Sequence, residues 1–187
     1  MVKIIITKDD DQQRLDRFLR KYLRNAPLSR IYKLIRKDLK VNGSRAGESY
    51  ILAEGDELTL YISPEEAEKL QRRKEAARGR RQFHIAYEDE HILAVEKPLG
   101  LLTHGDAQEK KNHLANQVLG YLIESGKYNP RASKTFAPAP ANRLDRNTTG
   151  LVLFGKDAEA LRELNRMIRE KGYVRKYYLT VVRGKVS

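Results

Sequence analysis

The sequence predicts an α+β fold in two parts that are joined by a charged segment. Residues 13–40 carry apolar side chains at helical spacing, and residues 57–62 alternate apolar and polar side chains as a half-buried strand does. In the second half of the chain, strand-like and helix-like stretches interleave, which indicates a mixed or antiparallel sheet covered by helices. We therefore expect a small domain over residues 1–62, a charged linker over 63–82 and a second domain over 83–187.

The first domain is expected to open with a strand at residues 1–6 and to continue with two short amphipathic helices. The first helix ends at Asn25-Ala26-Pro27, and the second begins with Ser29 as its N-cap. Nine basic residues share the polar faces of the two helices: Arg14, Arg17, Arg20, Lys21, Arg24, Arg30, Lys33, Arg36 and Lys37. A solvated helix usually mixes both signs of charge, so this surface favours nucleic-acid binding over simple exposure to solvent.

Turn chemistry and charge order predict the rest of the first domain and the linker. Asn42-Gly43 suits a tight hairpin turn, and a strand over residues 57–62 follows Gly55-Asp56. The linker carries its acidic residues before its basic ones, an order that suits a helix macrodipole. It has too few apolar residues to bury a face, so we expect it to be exposed.

The second domain is expected to alternate strands with helices. Strands are predicted at residues 83–87, 91–97, 151–155 and 174–183. Helices are predicted at 113–124 and at 157–171, the latter with Asp157 as its N-cap and Gly172 as its stop. The loop of residues 125–141 holds three prolines and lies directly before a charged motif, so we expect substrate contacts there.

Composition points to a polyanionic partner. Lysine and arginine total 37 against 25 acidic residues, which gives a net charge of +12. No cysteine is present, so disulfides and thiolate metal sites are excluded. The spacing of the four histidines (His84, His91, His104 and His113) fits no compact zinc site, and we expect neither a metal nor a cofactor. No apolar run reaches the ~18 residues of a membrane span, and a cytoplasmic location fits.

The motif from Asn142 to Gly150 is the strongest candidate for chemistry. Asp145 lies between Arg143 and Arg146, directly before an apolar strand. An ordinary aspartate, with a pKa of about 3.9, is ionised at neutral pH and is a competent nucleophile or electrostatic stabiliser. A structural alternative is an Asp-Arg pair that orders a turn, with Gly150 supplying an unusual backbone angle. Short charged motifs often match by chance, so these residues alone favour the structural alternative.

The same motif, Arg143-Leu144-Asp145-x-x-Thr148-x-Gly150, resembles the central motif of the RluA-type pseudouridine synthases. The resemblance implies that Asp145 is the catalytic nucleophile and that Arg143 orients it or fills the space that the base leaves. Many members have histidine where this chain has Asn142, so Asn142 is assigned no role.

Two further stretches resemble the same family, in the same order. Residues 89–104 are similar to its first motif, a strand that ends in Lys-Pro-x-Gly and precedes a histidine. Residues 176–184 are similar to the strand that carries the active-site tyrosine, which implies that Tyr178 packs on the base and takes part in proton transfer. By this resemblance we expect Lys97, His104 and Thr148 to line the cleft, and residues 83–187 to form the front part of the family's core.

The first domain resembles an S-four-like RNA-binding module. The matching positions are Arg14-Leu15-Asp16, Ser29-Arg30, Val41-Asn42-Gly43 and Gly55-Asp56. The resemblance implies that five residues contact the RNA backbone: Arg14, Arg30, Arg36, Lys37 and Lys40. Such phosphate contacts give affinity and register rather than sequence choice.

Together these resemblances imply a monomeric, cofactor-free RNA pseudouridine synthase that acts on large-subunit ribosomal RNA rather than transfer RNA. The runner-up is an RNA-binding or ribosome-assembly protein without catalysis. A nucleic-acid hydrolase is a third option, but it lacks the expected metal ligands or acid pair. Family members continue well beyond the tyrosine strand, to a motif whose basic residue pairs with the aspartate. We therefore expect the 187-residue chain alone to bind RNA without forming pseudouridine.

Overall fold

A computed structural model of the chain describes residues 1–71, 80–130, 132–133 and 135–184. They form two antiparallel sheets, each covered by helices, which confirms the predicted α+β class. Parts of the expected linker (72–79) and of the expected second domain (131, 134 and 185–187) lie outside the described residues. No helix in the described part of the chain is long and apolar enough to cross a membrane.

The first sheet contains β1 (Val2–Ile5), β3 (Glu57–Leu60) and β2 (Leu39–Val41) in that order. Helices α1 (Leu15–Tyr22) and α2 (Leu28–Lys37) supply the apolar side chains that cover it. Phe18, Leu34 and Leu58 are completely buried in this first core. The helical periodicity therefore identified the correct core-facing residues.

The ends of these two helices differ from the prediction. Helix α1 ends at Tyr22, before the expected stop at Asn25-Ala26-Pro27. Helix α2 begins at Leu28 with Pro27 as its N-cap, so the assignment of Ser29 as the cap is wrong. The Pro27 carbonyl accepts hydrogen bonds from the amides of Arg30 and Ile31, at 2.9 and 3.2 Å. Since proline has a fixed φ and no N–H to satisfy, it suits this position.

The Asn42-Gly43 turn is present as predicted, with both residues at positive φ (50° and 78°). Asn42 also contacts the Gly55-Asp56 motif. Its side-chain amide donates to Asp56 Oδ1 at 2.8 Å, and its Oδ1 accepts from the amide of Glu57 at 2.8 Å. Two motifs that are distant in sequence thus close one end of the first sheet.

The expected exposed linker begins with helix α3 (Pro64–Gln71). Ala67 is buried in the first core, and Leu70 packs against that core. Glu66 forms an ion pair with Arg30 of α2. The expectation that this segment buries no face is therefore wrong for residues 64–71, because two apolar residues one turn apart suffice to attach a short helix.

The second sheet has the strand order β4 (His84–Glu88), β5 (Ile92–Lys97), β7 (Gly150–Gly155) and β6 (Ala139–Pro140). Helices α4 (Leu114–Glu124) and α5 (Ala158–Arg169) flank it, and Asp157 caps α5 by accepting from the amide of Ala160 at 2.8 Å. Leu93, Val152 and Phe154 are completely buried against α4. Gly155 lets α5 approach the sheet, because a Cβ there would lie 2.6 Å from the backbone of Leu161.

The predicted strand over residues 174–183 is wrong. These residues form no strand in the structure, and Leu179 and Val181 are 100% and 97% exposed. Apolar alternation predicts a strand only if a neighbouring strand pairs with it, and none of the described strands does. Strand β6 was not predicted, because two residues in a proline-rich stretch carry no periodic signal.

The two parts of the chain touch through a short 3-10 turn, Lys8–Asp10. Asp10 is buried and accepts a hydrogen bond from Thr135, which lies in the loop before β6. Asp9 accepts from the amide of Ala158 at 3.3 Å, and Lys8 pairs with Glu159 at 2.8 Å, both at the start of α5. The first domain therefore lies against the second through polar contacts.

Candidate active site

The register of β5 and β7 brings two of the predicted motifs together. Lys97, the last residue of β5, pairs with Gly150, the first residue of β7. The turn of residues 98–103 therefore begins at the end of the sheet where the loop of residues 141–149 ends. Gly150 has a φ of 133°, a conformation that side chains rarely adopt, so glycine is required there.

The buried side chain of Lys97 forms hydrogen bonds with both of these segments. Its ammonium group donates to three carbonyl oxygens, those of Leu101 at 2.7 Å, Pro98 at 3.1 Å and Arg146 at 3.2 Å. Burial lowers the pKa of Lys97, and the nearby negative charge of Asp145 opposes that shift. The side chain is only 1% exposed, so the expectation that Lys97 lines the cleft is wrong: a buried ammonium must satisfy its protons on protein oxygens.

Thr103 is a second attachment of the loop, and sequence reasoning missed it. Its hydroxyl donates to the carbonyl of Leu144 at 2.7 Å and accepts from the amide of Leu144 at 3.2 Å. The residue is 2% exposed. A lone threonine before a histidine gives no sequence signal for this interaction, because Leu144 is distant along the chain.

The carboxylate of Asp145 is available for chemistry. The residue is exposed, and its backbone carbonyl accepts from the amide of Thr148 at 3.1 Å. Among the residues that the structure describes, no hydrogen bond or ion pair engages the carboxylate itself. A rigid backbone thus presents an unpaired acid at the end of the sheet.

Arg143 and His104 lie near one another at this site. Burial and the positive charge of Arg143 lower the pKa of His104, which favours a neutral imidazole. Both residues are exposed, and Thr148 is half-buried. Within the described ranges, Arg143 forms no ion pair with Asp145, so the expected orienting contact is absent from this structure. The expectation that His104 and Thr148 line the cleft stays a prediction.

Tyr178 is not brought to the site. It is 67% exposed, and it makes no hydrogen bond or ring contact within the described part of the chain. The assignment of Tyr178 depended on a strand over 174–183 that the structure lacks, so the structure gives the proposed proton transfer no support.

A depression of about 410 Å³ lies beside the Asp145 loop. Gln82, Leu99, Gly100, Glu109, Asn112 and Arg146 are among the residues that line it. A second depression, of about 460 Å³, is lined by Glu88, Lys127 and Lys156, and both lysines form ion pairs with Glu88. The first depression adjoins both motifs, so it is the better candidate for contact with a substrate.

The predicted RNA-binding residues of the first domain divide into two groups. Arg14 pairs with Asp16 at 3.0 Å, and Arg30 pairs with Glu66 and Asp38. Arg36 and Lys37 are exposed and form no ion pair within the described residues, whereas Lys40 lies over the ring of Tyr61 at 5.9 Å. The free charge thus concentrates at the end of α2.

Comparison with known proteins agrees with the motifs. The protein-family model described as RNA pseudouridylate synthase matches residues 91–187. Ribosomal large subunit pseudouridine synthase C of Escherichia coli (strain K12) is 37% identical over 190 residues, which cover 98% of this chain and 55% of that protein. A protein of Mycoplasma capricolum named an uncharacterized RNA pseudouridine synthase is 32% identical, over 95% of this chain and 58% of that protein.

Among solved structures, human RNA Pseudouridylate Synthase Domain Containing 4 is 22% identical, with a TM-score of 0.35, over 46% of this chain and 29% of that chain. The chain spans a little over half the length of the relatives named above. The family model covers more than half of the chain and includes the strands and the loop that carry Asp145. The chain belongs to the RNA pseudouridylate synthase family.

Proposed function

We propose that this chain carries the catalytic aspartate of an RNA pseudouridine synthase, and that Asp145 is that residue. The observation that carries the proposal is the contrast between the Asp145 backbone and its side chain. The backbone around it is held by Lys97 and Thr103, whereas the carboxylate is exposed and unpaired among the described residues. Such preorganisation is what catalysis by a positioned group requires.

The reaction is an isomerisation, so atoms and electrons balance without a second reactant. The bond between N1 of uracil and C1′ of ribose breaks, the base turns, and a bond forms between C5 and C1′. C5 loses its proton to solvent and N1 gains one. An ionised Asp145 would act at the ribose or at the base, as a nucleophile or as a stabiliser of developing positive charge.

The target uridine must leave its helical stack before a carboxylate can reach the glycosidic bond. Extrusion costs a few kcal/mol, and it costs least in loops and bulges. The depression beside Arg146 and the neighbouring side chains of Arg143 and His104 provide polar surface at the mouth of the site. We infer that an unpaired RNA segment lies across this surface.

The first domain would supply affinity through an S-four-like mode of RNA binding. Arg36 and Lys37 at the end of α2 are exposed and unpaired by acids within the described residues. Phosphate contacts of this kind position an RNA without reading its sequence. Relatives are named ribosomal large subunit pseudouridine synthases, so we propose large-subunit ribosomal RNA as the substrate, with the cytoplasm as the place of action.

Release of tritium from RNA labelled at C5 of uridine tests this proposal. We expect the full-length protein, meaning a version longer than these 187 residues, to release tritium, to leave the RNA chain intact and to need no added cofactor. An RNA-binding protein without catalysis would retain the RNA and release none. A hydrolase would shorten the RNA. Either result would overturn the proposed function.

A further inference from the structure

Asn142 makes a pair of hydrogen bonds that its sequence context does not predict. Strand β6 ends at Pro140, and the amide of Ala141 makes the last backbone bond to β7, at 2.7 Å from the carbonyl of Leu153. Beyond Ala141 the chain turns away from the sheet toward Asp145. At this point the Asn142 side chain takes over: its Nδ2 donates to the carbonyl of Leu151 at 3.1 Å, and its Oδ1 accepts from the amide of Leu153 at 2.8 Å.

These two bonds reproduce what a neighbouring strand would supply. A residue in a parallel neighbouring strand offers one donor and one acceptor to the groups that flank a single residue of its partner, whereas an antiparallel residue exchanges both bonds with the residue opposite it. A side-chain amide carries the same donor and acceptor, and the residue between its two contacts, Val152, is completely buried. The amide therefore completes the edge of β7 while the backbone of Asn142 is free to leave the sheet.

We propose that Asn142 is a positioning residue for Asp145. Its amide fixes the point at which the chain departs from β7, and Asp145 follows three residues later. The carbonyl of Arg146, on the other side of Asp145, is fixed by Lys97 and by the amide of Gly100 at 2.9 Å. Asp145 is thus held on both sides: the Asn142 amide and the Thr103 hydroxyl fix the chain before it, and Lys97 fixes the chain after it. The inference rests on the proposed function, in which Asp145 is the reacting carboxylate.

Two substitutions test whether the hydrogen-bonding groups of the Asn142 side chain matter, rather than its volume. Asn142→Leu keeps a similar volume but removes both donor and acceptor, and Asn142→Asp keeps the acceptor for the Leu153 amide while removing the donor. Asn165→Ala removes an exposed amide on α5 and serves as the matched control. All variants are made in the full-length protein.

Hydrogen exchange resolved at single amides is the first measurement. In Asn142→Leu we expect exchange at Leu153 to accelerate about fivefold or more, because the variant lacks a hydrogen bond worth ~1 kcal/mol and the edge opens. Exchange at the Leu144 amide, which precedes Asp145 and donates to the Thr103 hydroxyl at 3.2 Å, should accelerate with it. Asn142→Asp should retain much of the protection at Leu153, and Asn165→Ala should leave both amides unchanged.

Kinetics are the second measurement. We expect kcat of Asn142→Leu to fall roughly tenfold to a hundredfold, because a small displacement of a reacting group has effects of that size. The Kd for RNA should stay within about twofold, since the phosphate contacts of α2 are untouched. Asn142→Asp should recover part of kcat, which a general loss of folding would not allow.

The outcomes are separable. Unchanged exchange at Leu153 in Asn142→Leu would overturn the proposal, and so would faster exchange with unchanged kcat. If the wild-type protein shows no turnover, the proposed function fails. The exchange data then decide the positioning role alone: joint acceleration at Leu153 and Leu144 supports it, and acceleration at Leu153 only overturns it.

Discussion

The hydroxyl of Thr103 lies 2.7 Å from the carbonyl oxygen of Leu144 and 3.2 Å from its amide nitrogen, so one side chain satisfies both backbone groups of the residue before Asp145. Thr103 is 2% exposed, and water cannot easily replace its hydroxyl. A loop that must turn sharply has few neighbours to satisfy its own peptide groups. A buried hydroxyl on the facing turn solves that problem and fixes the loop at the same time.

Thr103→Val should therefore cost about 1–3 kcal/mol of unfolding free energy, because it leaves a carbonyl and an amide without partners at nearly constant volume. Thr103→Ser keeps the hydroxyl and should be less destabilised. Denaturant unfolding of both variants measures the difference. Equal stability of the valine and serine variants would show that the hydroxyl contributes nothing, and that only the shape of the side chain matters.

Lys97→Met should destabilise the protein by about 2–3 kcal/mol, because hydrogen bonds from a charged group are stronger than neutral ones. The carbonyls of Pro98 and Leu101 would lose this donor, and that of Arg146 would keep only the Gly100 amide. Methionine retains the length of the stem. Lys69→Met, at an exposed position on α3, is the matched control and should change the stability little. The two variants are compared by denaturant unfolding, and similar values for both would contradict the role of the buried ammonium.

Asp145→Asn should abolish turnover while leaving folding and RNA binding nearly unchanged. The amide keeps the shape of the carboxylate but lacks the charge that attacks or stabilises a developing cation. Since the wild-type carboxylate accepts no hydrogen bond among the described residues, its neutral replacement leaves no partner unsatisfied. Tritium release and RNA affinity are measured on the same preparation. Near-normal release by the variant would remove Asp145 from the mechanism.

The strands β5 and β7 could be predicted because each is a run of apolar residues that packs on both faces. The importance of Asp145 could also be predicted, since a family motif surrounds it. The hydrogen bonds of Lys97 and Thr103 could not, because they depend on the register that pairs Lys97 with Gly150. Those of Asn142 depend on the pairing of β6 with β7. Register joins residues that are distant along the chain, and local periodicity carries no information about it.

The predicted strand that would carry Tyr178 is absent from the structure, although the residue was recognised from its motif. Its motif matched, but a side chain reaches a site only when its strand pairs with another strand. In this structure residues 174–183 remain without one, and Tyr178 is 67% exposed. The ion pair of Arg30 could not be predicted for a related reason: its basic character was evident, whereas its pairing with Glu66 depends on the unexpected packing of α3.

The first domain should become less stable in acid through Asp56. Burial alone would raise the pKa of Asp56, but hydrogen bonds from the Ala53 amide, the Asn42 side chain and the Tyr50 hydroxyl outweigh it and lower the pKa below its ordinary value of 3.8. A carboxyl group whose pKa is lowered by folding stabilises the native state above the unfolded pKa. That contribution disappears as the pH falls through the folded value.

Unfolding of the wild type and of Asp56→Asn, followed from about pH 6 to about pH 2.5, measures this effect. We expect the unfolding free energy of the wild type to fall more than that of the variant over the interval below pH ~4. The variant should be less stable at neutral pH, because its amide cannot accept all three hydrogen bonds in the same geometry. Parallel pH profiles would show that Asp56 is not the group responsible.

The three residues of α2 that are predicted to contact RNA should separate into one that stabilises the fold and two that bind RNA. Arg36 and Lys37 are exposed, and no acid pairs with them in the described ranges. Replacing both by Gln should weaken binding to many RNA sequences alike. The slope of log affinity against log salt should become shallower by about 0.7–0.9 for each phosphate that is no longer neutralised. Thermal stability should hardly change, since neither side chain is buried.

Arg30→Gln is the matched comparison, because Arg30 is a basic residue on the same helix whose side chain already pairs with acidic residues. Its guanidinium pairs with Glu66 and Asp38 and is 25% exposed, so we expect a decrease of about 1 kcal/mol in stability and little change in the salt slope. The sequence alone places Arg30 among the residues that bind RNA. A slope for Arg30→Gln that is as shallow as that of the Arg36 and Lys37 variant would restore it there. It would also mean that RNA displaces Glu66, since one guanidinium fork cannot bind a carboxylate and a phosphate fully at once.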